Sequence, residues 1–150
     1  MKMGKICGID LGDSRTGIAF SDALRMIAGR SEVIHEKNTA KLMDRLVDII
    51  RASEVVAAAV GCPVNMDGSH GPRAEKAEKL AQELRERTGI RIDLVDERRT
   101  TVDAYRILSD NGVYGQKRKN SVDAVAAVLI LETYMGMIKT EEEKSFEKNE

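Results

Sequence analysis

Tryptophan is absent from this chain, and two Phe and three Tyr are its only aromatic rings. The core must then be built from Val, Ile, Leu, Ala and Met, and a single-strand binder that stacks bases on aromatic platforms is disfavoured. Cysteine is scarce too. Cys7 and Cys62 each stand in an apolar stretch and belong to no CxxC or Cys/His cluster, so buried, reduced thiols are expected. Neither histidine has a ligand-type neighbour in sequence, His70 reads as a loop residue, and zinc is not expected. Long apolar runs are missing: the longest, near 124–131, falls short of the ~18 residues of a membrane span. Met1 to Lys5 is followed by only a short apolar run broken by Asp10. No signal peptide and no membrane partner are expected, and the chain reads as cytoplasmic.

Charge of one sign is lacking overall, but it is unevenly spread. The net charge is −1, while the last ten residues, EEEKSFEKNE, carry −3, so residues 1–140 carry +2. A mildly basic body with an acidic, solvated and disordered tail over 139–150 is the expectation, and 150 residues suit a single domain, 1–138.

The most informative stretch is KICGIDLGDSRTGIAFSD, Lys5 to Asp22. Two apolar runs joined by Gly12, Asp13, Ser14 and Arg15 predict a β-hairpin, with Gly12 free to take the positive φ of a tight turn. Asp10 lies inside the first strand pattern, where a carboxylate loses hydration at a cost of several kcal/mol, order of magnitude, unless a cation, donor or proton compensates it. Gly8, Gly12 and Gly17 leave room for a metal or phosphate beside it. A turn-capping role for Asp10 is the plainer alternative.

Beyond the hairpin, Met26 to His35 predicts a third strand, and Asn38 or Thr39 an N-cap for an amphipathic helix from Ala40 to about Ser53. The unbroken apolar run Val55 to Val60 predicts a parallel strand covered on both faces. GCPVNMDGSHGPR is a loop that ends at Pro72, the first-turn residue of a helix stopped by Gly89. Ile90 to Val95 alternates as a strand and leads straight into Asp96, Glu97, Arg98 and Arg99. Thr100 with Asp103 resembles a capping box for a short helix closing near Gly112. Then come a basic loop, VYGQKRKN, and a last helix from Ser121 to about Ile138, apolar nearly all round. This order predicts a mixed five-stranded α/β sheet, three antiparallel strands followed by alternating helices and strands, with helices on both faces.

Three carboxylates thus stand where a carboxylate is locally unfavourable: Asp10, Glu97 and Asp123. If the strand end carrying Glu97 approaches the central first strand, the acids converge and repel, and Mg²⁺ or Mn²⁺ is the usual remedy. Such a site activates water for phosphodiester hydrolysis. Each acid has an alternative. Asp123 fits the third position of a capping box from Asn120, Glu97 could pair with Arg98 or Arg99, and Asp96 could be the inward member. Lys117, Arg118 and Lys119 suit phosphate neutralisation or an ordinary solvated loop.

GIDLGDSRTGIAFSD, GCPVNMDG, VDERRTT and KRKNSVDAVAA, spread over residues 4–138, together resemble the YqgF-type family of small bacterial proteins with a ribonuclease H-like fold, related to Holliday-junction resolvases. The resemblance implies a catalytic, metal-binding triad of Asp10, Glu97 and Asp123, and a cytoplasmic nuclease that matures the 5′ end of pre-16S ribosomal RNA. Cys62 and Arg99 depart from the residues usual at their positions in that family. The expected partner is structured RNA or branched DNA, held by Arg15, Asn65, Asp67, Arg98, Lys117, Arg118 and Lys119, in a monomer or weak homodimer. Two rival readings are an ATPase of the actin, sugar-kinase and Hsp70 group, whose phosphate hairpin Asp10-Leu-Gly also resembles, and a catalytically silent nucleic-acid-binding module. The first needs a second domain that 150 residues do not supply.

Overall fold

The computed structural model describes residues 3–97 and 115–148, with side chains for 3–97 and 124–146. Its five strands are β1 (Ile6–Asp10), β2 (Arg15–Ser21), β3 (Ala28–His35), β4 (Ala57–Cys62) and β5 (Arg91–Asp96), and its helices α1 (Thr39–Ser53), α2 (Pro72–Thr88) and α3 (Gly115–Lys148). They form one sheet in the order β3-β2-β1-β4-β5. The first three strands pair antiparallel and β1-β4-β5 pair parallel, which is the mixed sheet the sequence predicts.

Strand alternation divides the core into two layers. Cys7, Ile9, Ile18, Phe20, Ala58, Val60 and Ile92 face α1 and α2, while Ile6, Ala19, Ala57, Ala59 and Val95 face α3. The helix starts and stops follow local chemistry. Asn38 caps α1 by accepting a hydrogen bond from the Lys41 N–H at 2.9 Å, and Gly89, at φ 72°, ends α2.

Several boundaries differ from the predicted ones. β4 runs two residues further, through Gly61 and Cys62, because both stay in register with β5, opposite Val95 and Asp96. Gly12 does not need a positive φ; a Cβ there would overlap the Arg15 carbonyl oxygen. Residues 115–120, predicted as a loop, belong to α3, so the basic run lies in its opening turns and Asn120 is no N-cap for Asp123. The helix predicted over 100–112 lies outside the described residues.

At its other end α3 continues through residues 139–148, where the sequence predicts a solvated, disordered tail. Glu141 receives two hydrogen bonds from the Arg91 guanidinium, at 3.1 and 2.7 Å, and Glu142 lies 3.9 Å from Arg25. These pairs tie the acidic segment to the start of β5 and to the turn between β2 and β3. Nor is α3 buried all round: Ala126, Ala127, Ile130, Leu131, Tyr134 and Ile138 form one buried stripe, and Glu132, Gly136 and Lys139 on the opposite face are exposed. Among the described residues, no helix is long and apolar enough to cross a membrane.

The approach of α3 to β1 depends on Gly8. A Cβ on Gly8 would sit 2.7 Å from the Ala127 carbonyl oxygen and 2.7 Å from the Leu131 amide nitrogen, both backbone atoms that cannot swing away. The space beside Gly8 is thus taken by a helix and not by a ligand. Gly8→Ala should lift α3 from the sheet and destabilise the fold by about 1–3 kcal/mol, the usual range for overpacking. At about 2–4 °C per kcal/mol, thermal unfolding should register a fall of several degrees. An unchanged midpoint would mean that α3 adjusts freely over β1.

Candidate active site

The carboxyl ends of β1, β4 and β5 lie side by side, and Asp10 closes β1 while Glu97 follows β5 directly. Alternation decides which acids meet. Asp10 shares its parity with Ile6 and Gly8, and Glu97 with Val95, so both belong to the α3 face. Asp96 shares parity with Ile92 and falls on the opposite face, so it is not the inward member of the acidic pair. The Glu97 backbone N–H donates to the Cys62 carbonyl at 3.2 Å, extending the β4-β5 ladder by one residue and holding that parity.

Between the two acids, in the middle strand, stands Gly61. A Cβ there would overlap Glu97 Oε2 and come within 2.5 Å of Ile130 Cδ1. The missing side chain is the space the Glu97 carboxyl group occupies. Sequence reading leaves Gly61 in the loop; the signal that could have found it is its place immediately before Cys62 at the end of an all-apolar strand.

The Glu97 carboxyl is pushed up to about 8, first by burial, then by the negative charge of Asp10 and a hydrogen bond between the two side chains. Asp96 adds to the rise, and Arg73 opposes it. Two carboxyl groups that share a proton at close range form a site that a cation can enter in the proton's place. Arg73 is a second residue absent from the sequence reading. It follows Pro72 in the first turn of α2, is largely exposed, and lies 3.9 Å from Asp13 of the β1-β2 turn.

The other candidates are placed less uniformly. Arg15 opens β2 with the parity of Gly17 and Ala19, hence on the α3 face, and Gly17 is the partner of Asp10 in the ladder. Asn65 and Asp67 are engaged within their own turn: Asn65 Nδ2 donates to Ser69 Oγ at 3.0 Å, and Asp67 Oδ1 accepts from the Ser69 amide at 2.9 Å and hydroxyl at 2.6 Å. These bonds to Ser69 hold the Asp67 carboxyl below the usual range. Arg98 lies outside the described residues. Lys117, Arg118, Lys119 and Asp123 lie on α3, with side chains outside the described set. The direction of that helix is nonetheless clear: Glu141 meets Arg91 at the start of β5, Tyr134 Oη donates to Asp93 Oδ2 at 2.7 Å, and Ile130 reaches Gly61 near the end of β4. Helix α3 therefore runs antiparallel to β1, β4 and β5, and its N-terminal half heads toward the edge that holds Asp10 and Glu97.

His70 differs from its expected surroundings. It lies beside Glu78, Nδ1 to Oε1 2.8 Å, with the Cys62 thiol close by. The Cys62 thiol is raised by burial and by the charges of Glu78, Glu97 and Asp96.

The model of the RuvX family, described as Holliday junction resolvase, matches residues 4–137. A relative from Ruminiclostridium cellulolyticum named "Putative pre-16S rRNA nuclease" is 39% identical over 135 residues, covering 89% of this chain and 95% of that protein. Among solved structures, Thermus thermophilus RuvC in complex with a Holliday junction substrate superposes with a TM-score of 0.55 at 15% identity, over 89% of this chain and 96% of that one. A fowlpox virus resolvase bound to Holliday junction DNA gives 0.57 at 10% identity, over 89% and 98%. The likeness to these resolvases shows the ribonuclease H-like fold, and the family match over nearly the whole chain places the protein in the RuvX family of resolvase-like nucleases.

Proposed function

We propose that the chain is a metal-dependent endonuclease that trims the 5′ end of pre-16S ribosomal RNA in the cytoplasm, with Asp10, Glu97 and Asp123 as its metal ligands. The observation that carries this reading is the proton-sharing contact of Asp10 with Glu97 on the α3 face, a pair whose mutual repulsion only a proton or a cation relieves. A hard divalent ion, Mg²⁺ or Mn²⁺, when bound there would supply an activated water and stabilise the leaving oxygen. Asp10 and Glu97 provide oxygen ligands from two rigid strands, and Asp123 would add a third from the helix that heads to the same edge. Gly61 keeps the middle of the site open.

The substrate backbone would cross this edge, with Arg15, Arg73, Arg98, Lys117, Arg118 and Lys119 as its expected cationic contacts. Asn65 and Asp67 contribute by shaping the turn that borders it. A monomer or weak homodimer suffices for this arrangement.

The test is cleavage of an RNA carrying the 16S 5′ leader, beside a four-way DNA junction, in Mg²⁺, Mn²⁺ or chelator. Site-specific cleavage of the RNA in either metal is expected. Preference for the junction would reassign the protein to branched DNA, and absence of metal-dependent cleavage on both would make it a binding module. In the same system Arg118→Ala or Lys119→Ala should weaken binding evenly across sequences and reduce the salt slope by about one per lost phosphate contact. Unchanged slopes would show that the basic run does not meet the backbone.

A further inference from the structure

We propose that Cys62, His70 and Glu78 form a binding site for a zinc-class divalent cation, on the face of the sheet opposite Asp10 and Glu97. One ligand atom from each residue lies within 4.8 Å of the others. The three come from separate elements: Cys62 from the end of β4, His70 from the loop that follows, and Glu78 from the second turn of α2. Strand parity separates this cluster from the carboxylate pair. Ala58 and Val60 pack toward α1 and α2, so Cys62 does as well, whereas Gly61 opens toward α3 and Glu97.

The donor set selects the ion. A thiolate, an imidazole nitrogen and one carboxylate oxygen suit Zn²⁺ and its borderline-soft relatives, and a sulfur ligand disfavours Mg²⁺. Three protein ligands leave the fourth tetrahedral position to water. With metal–ligand distances of about 2.0–2.3 Å, neighbouring ligand atoms in a tetrahedron stand about 3.3–3.6 Å apart. The cluster needs only a modest contraction around the sulfur and a slight opening of the 2.8 Å contact between His70 Nδ1 and Glu78 Oε1. That contact already orients the imidazole toward the carboxylate. On loading, the Cys62 thiol loses its proton to solvent, and the imidazole binds through Nδ1 with its own proton on Nε2. The bound ion would clip the 63–71 loop to the end of β4 and to α2, fixing the turn built by Asn65, Asp67 and Ser69.

Cobalt reports on the site directly, because a sulfur-to-cobalt charge-transfer band arises only where a thiolate ligates. Titration of the full chain with Co²⁺ should develop this band to one equivalent, and Zn²⁺ but not Mg²⁺ should abolish it. Cys62→Ala, which leaves Cys7 in place, should remove the band. His70→Ala, at a half-exposed loop position where little packing is lost, should weaken Zn²⁺ binding by about 100-fold or more. Asp10→Asn should leave the band unchanged. Zn²⁺ should also slow amide exchange across 63–71 in the wild type and not in His70→Ala. The proposal is overturned by a chain that binds no Co²⁺ through sulfur, by a band that survives Cys62→Ala, or by Zn²⁺ binding lost in Asp10→Asn and kept in His70→Ala. None of these readouts depends on nuclease activity, so failure here leaves the carboxylate site untouched, and the reverse holds too.

Discussion

Asp10→Asn should abolish cleavage, by about 100-fold or more, without weakening the metal-free fold. The amide keeps the shape of the side chain and removes a full negative charge, so divalent ions lose a ligand and the attacking water its activation; each 1.36 kcal/mol of lost stabilisation is about tenfold in rate. In the absence of metal the same change relieves Glu97. The Glu97 carboxyl titrates near 8 in the folded chain against an ordinary 4.5. Between those two values the folded protein holds a proton that the unfolded chain has released, so stability falls as pH rises from about 4.5 to about 8 and is level above. Asp10→Asn should flatten that decline, since one of its two main causes is gone, while burial of Glu97 preserves a part of it. Saturating Mg²⁺ should raise the stability of the wild type most above pH 8, where both carboxyls are ionised and ready to bind. Thermal unfolding across pH in chelator and in Mg²⁺, run beside the cleavage assay, reads all of this. A variant that still cuts, and whose metal-free form is less stable than the wild type, would make Asp10 a structural residue of its hairpin.

Gly61→Ala should be nearly as damaging, although the residue carries no reactive group. Its backbone does not need a positive φ, so the strand itself accepts alanine. The methyl group enters the space of the Glu97 carboxyl and presses on Ile130, which is fully buried. Ile130 can shift only at the cost of its own packing, and Glu97, next to a strand end, is the softer neighbour. Its carboxyl should swing away from Asp10. An ångström of displacement at a reacting centre can cost about 100-fold, and overpacking should destabilise the chain by about 1–3 kcal/mol. Cleavage rates should fall by at least about tenfold, and the decline of metal-free stability between pH 4.5 and 8 should shrink as Glu97 leaves Asp10. Wild-type rates together with an unaltered pH dependence would mean that Ile130 yields instead and that the middle strand does not gate the site.

Much of this molecule is legible from residue order. The hairpin, the Asn38 cap, the Pro72 start and Gly89 stop of α2, and the two parallel strands all follow from local chemistry: capping oxygens, fixed φ angles and the periodicity of apolar side chains. The awkwardness of Asp10 is visible too, because an acid in an apolar strand is conspicuous in any context. What residue order does not contain is which side chains share a face after strands pair. Asp96 and Glu97 are equivalent in the sequence, and only the register of β5 on β4 turns Glu97 toward Asp10 and Asp96 away. Gly61 reads as the first residue of a loop and Gly8 as room for a ligand, until a carboxyl group and a helix backbone are found where their Cβ atoms would be. His70 has no ligand-type neighbour along the chain, yet the fold sets it beside Glu78 and Cys62, eight residues away on either side. The acidic residues 141 and 142, which read as solvated in isolation, meet Arg91 and Arg25 and extend α3 over the sheet. Local preferences act over a few residues, whereas faces, close approaches and ion pairs are set by register between strands far apart in the chain, and that information exists only once the sheet has formed.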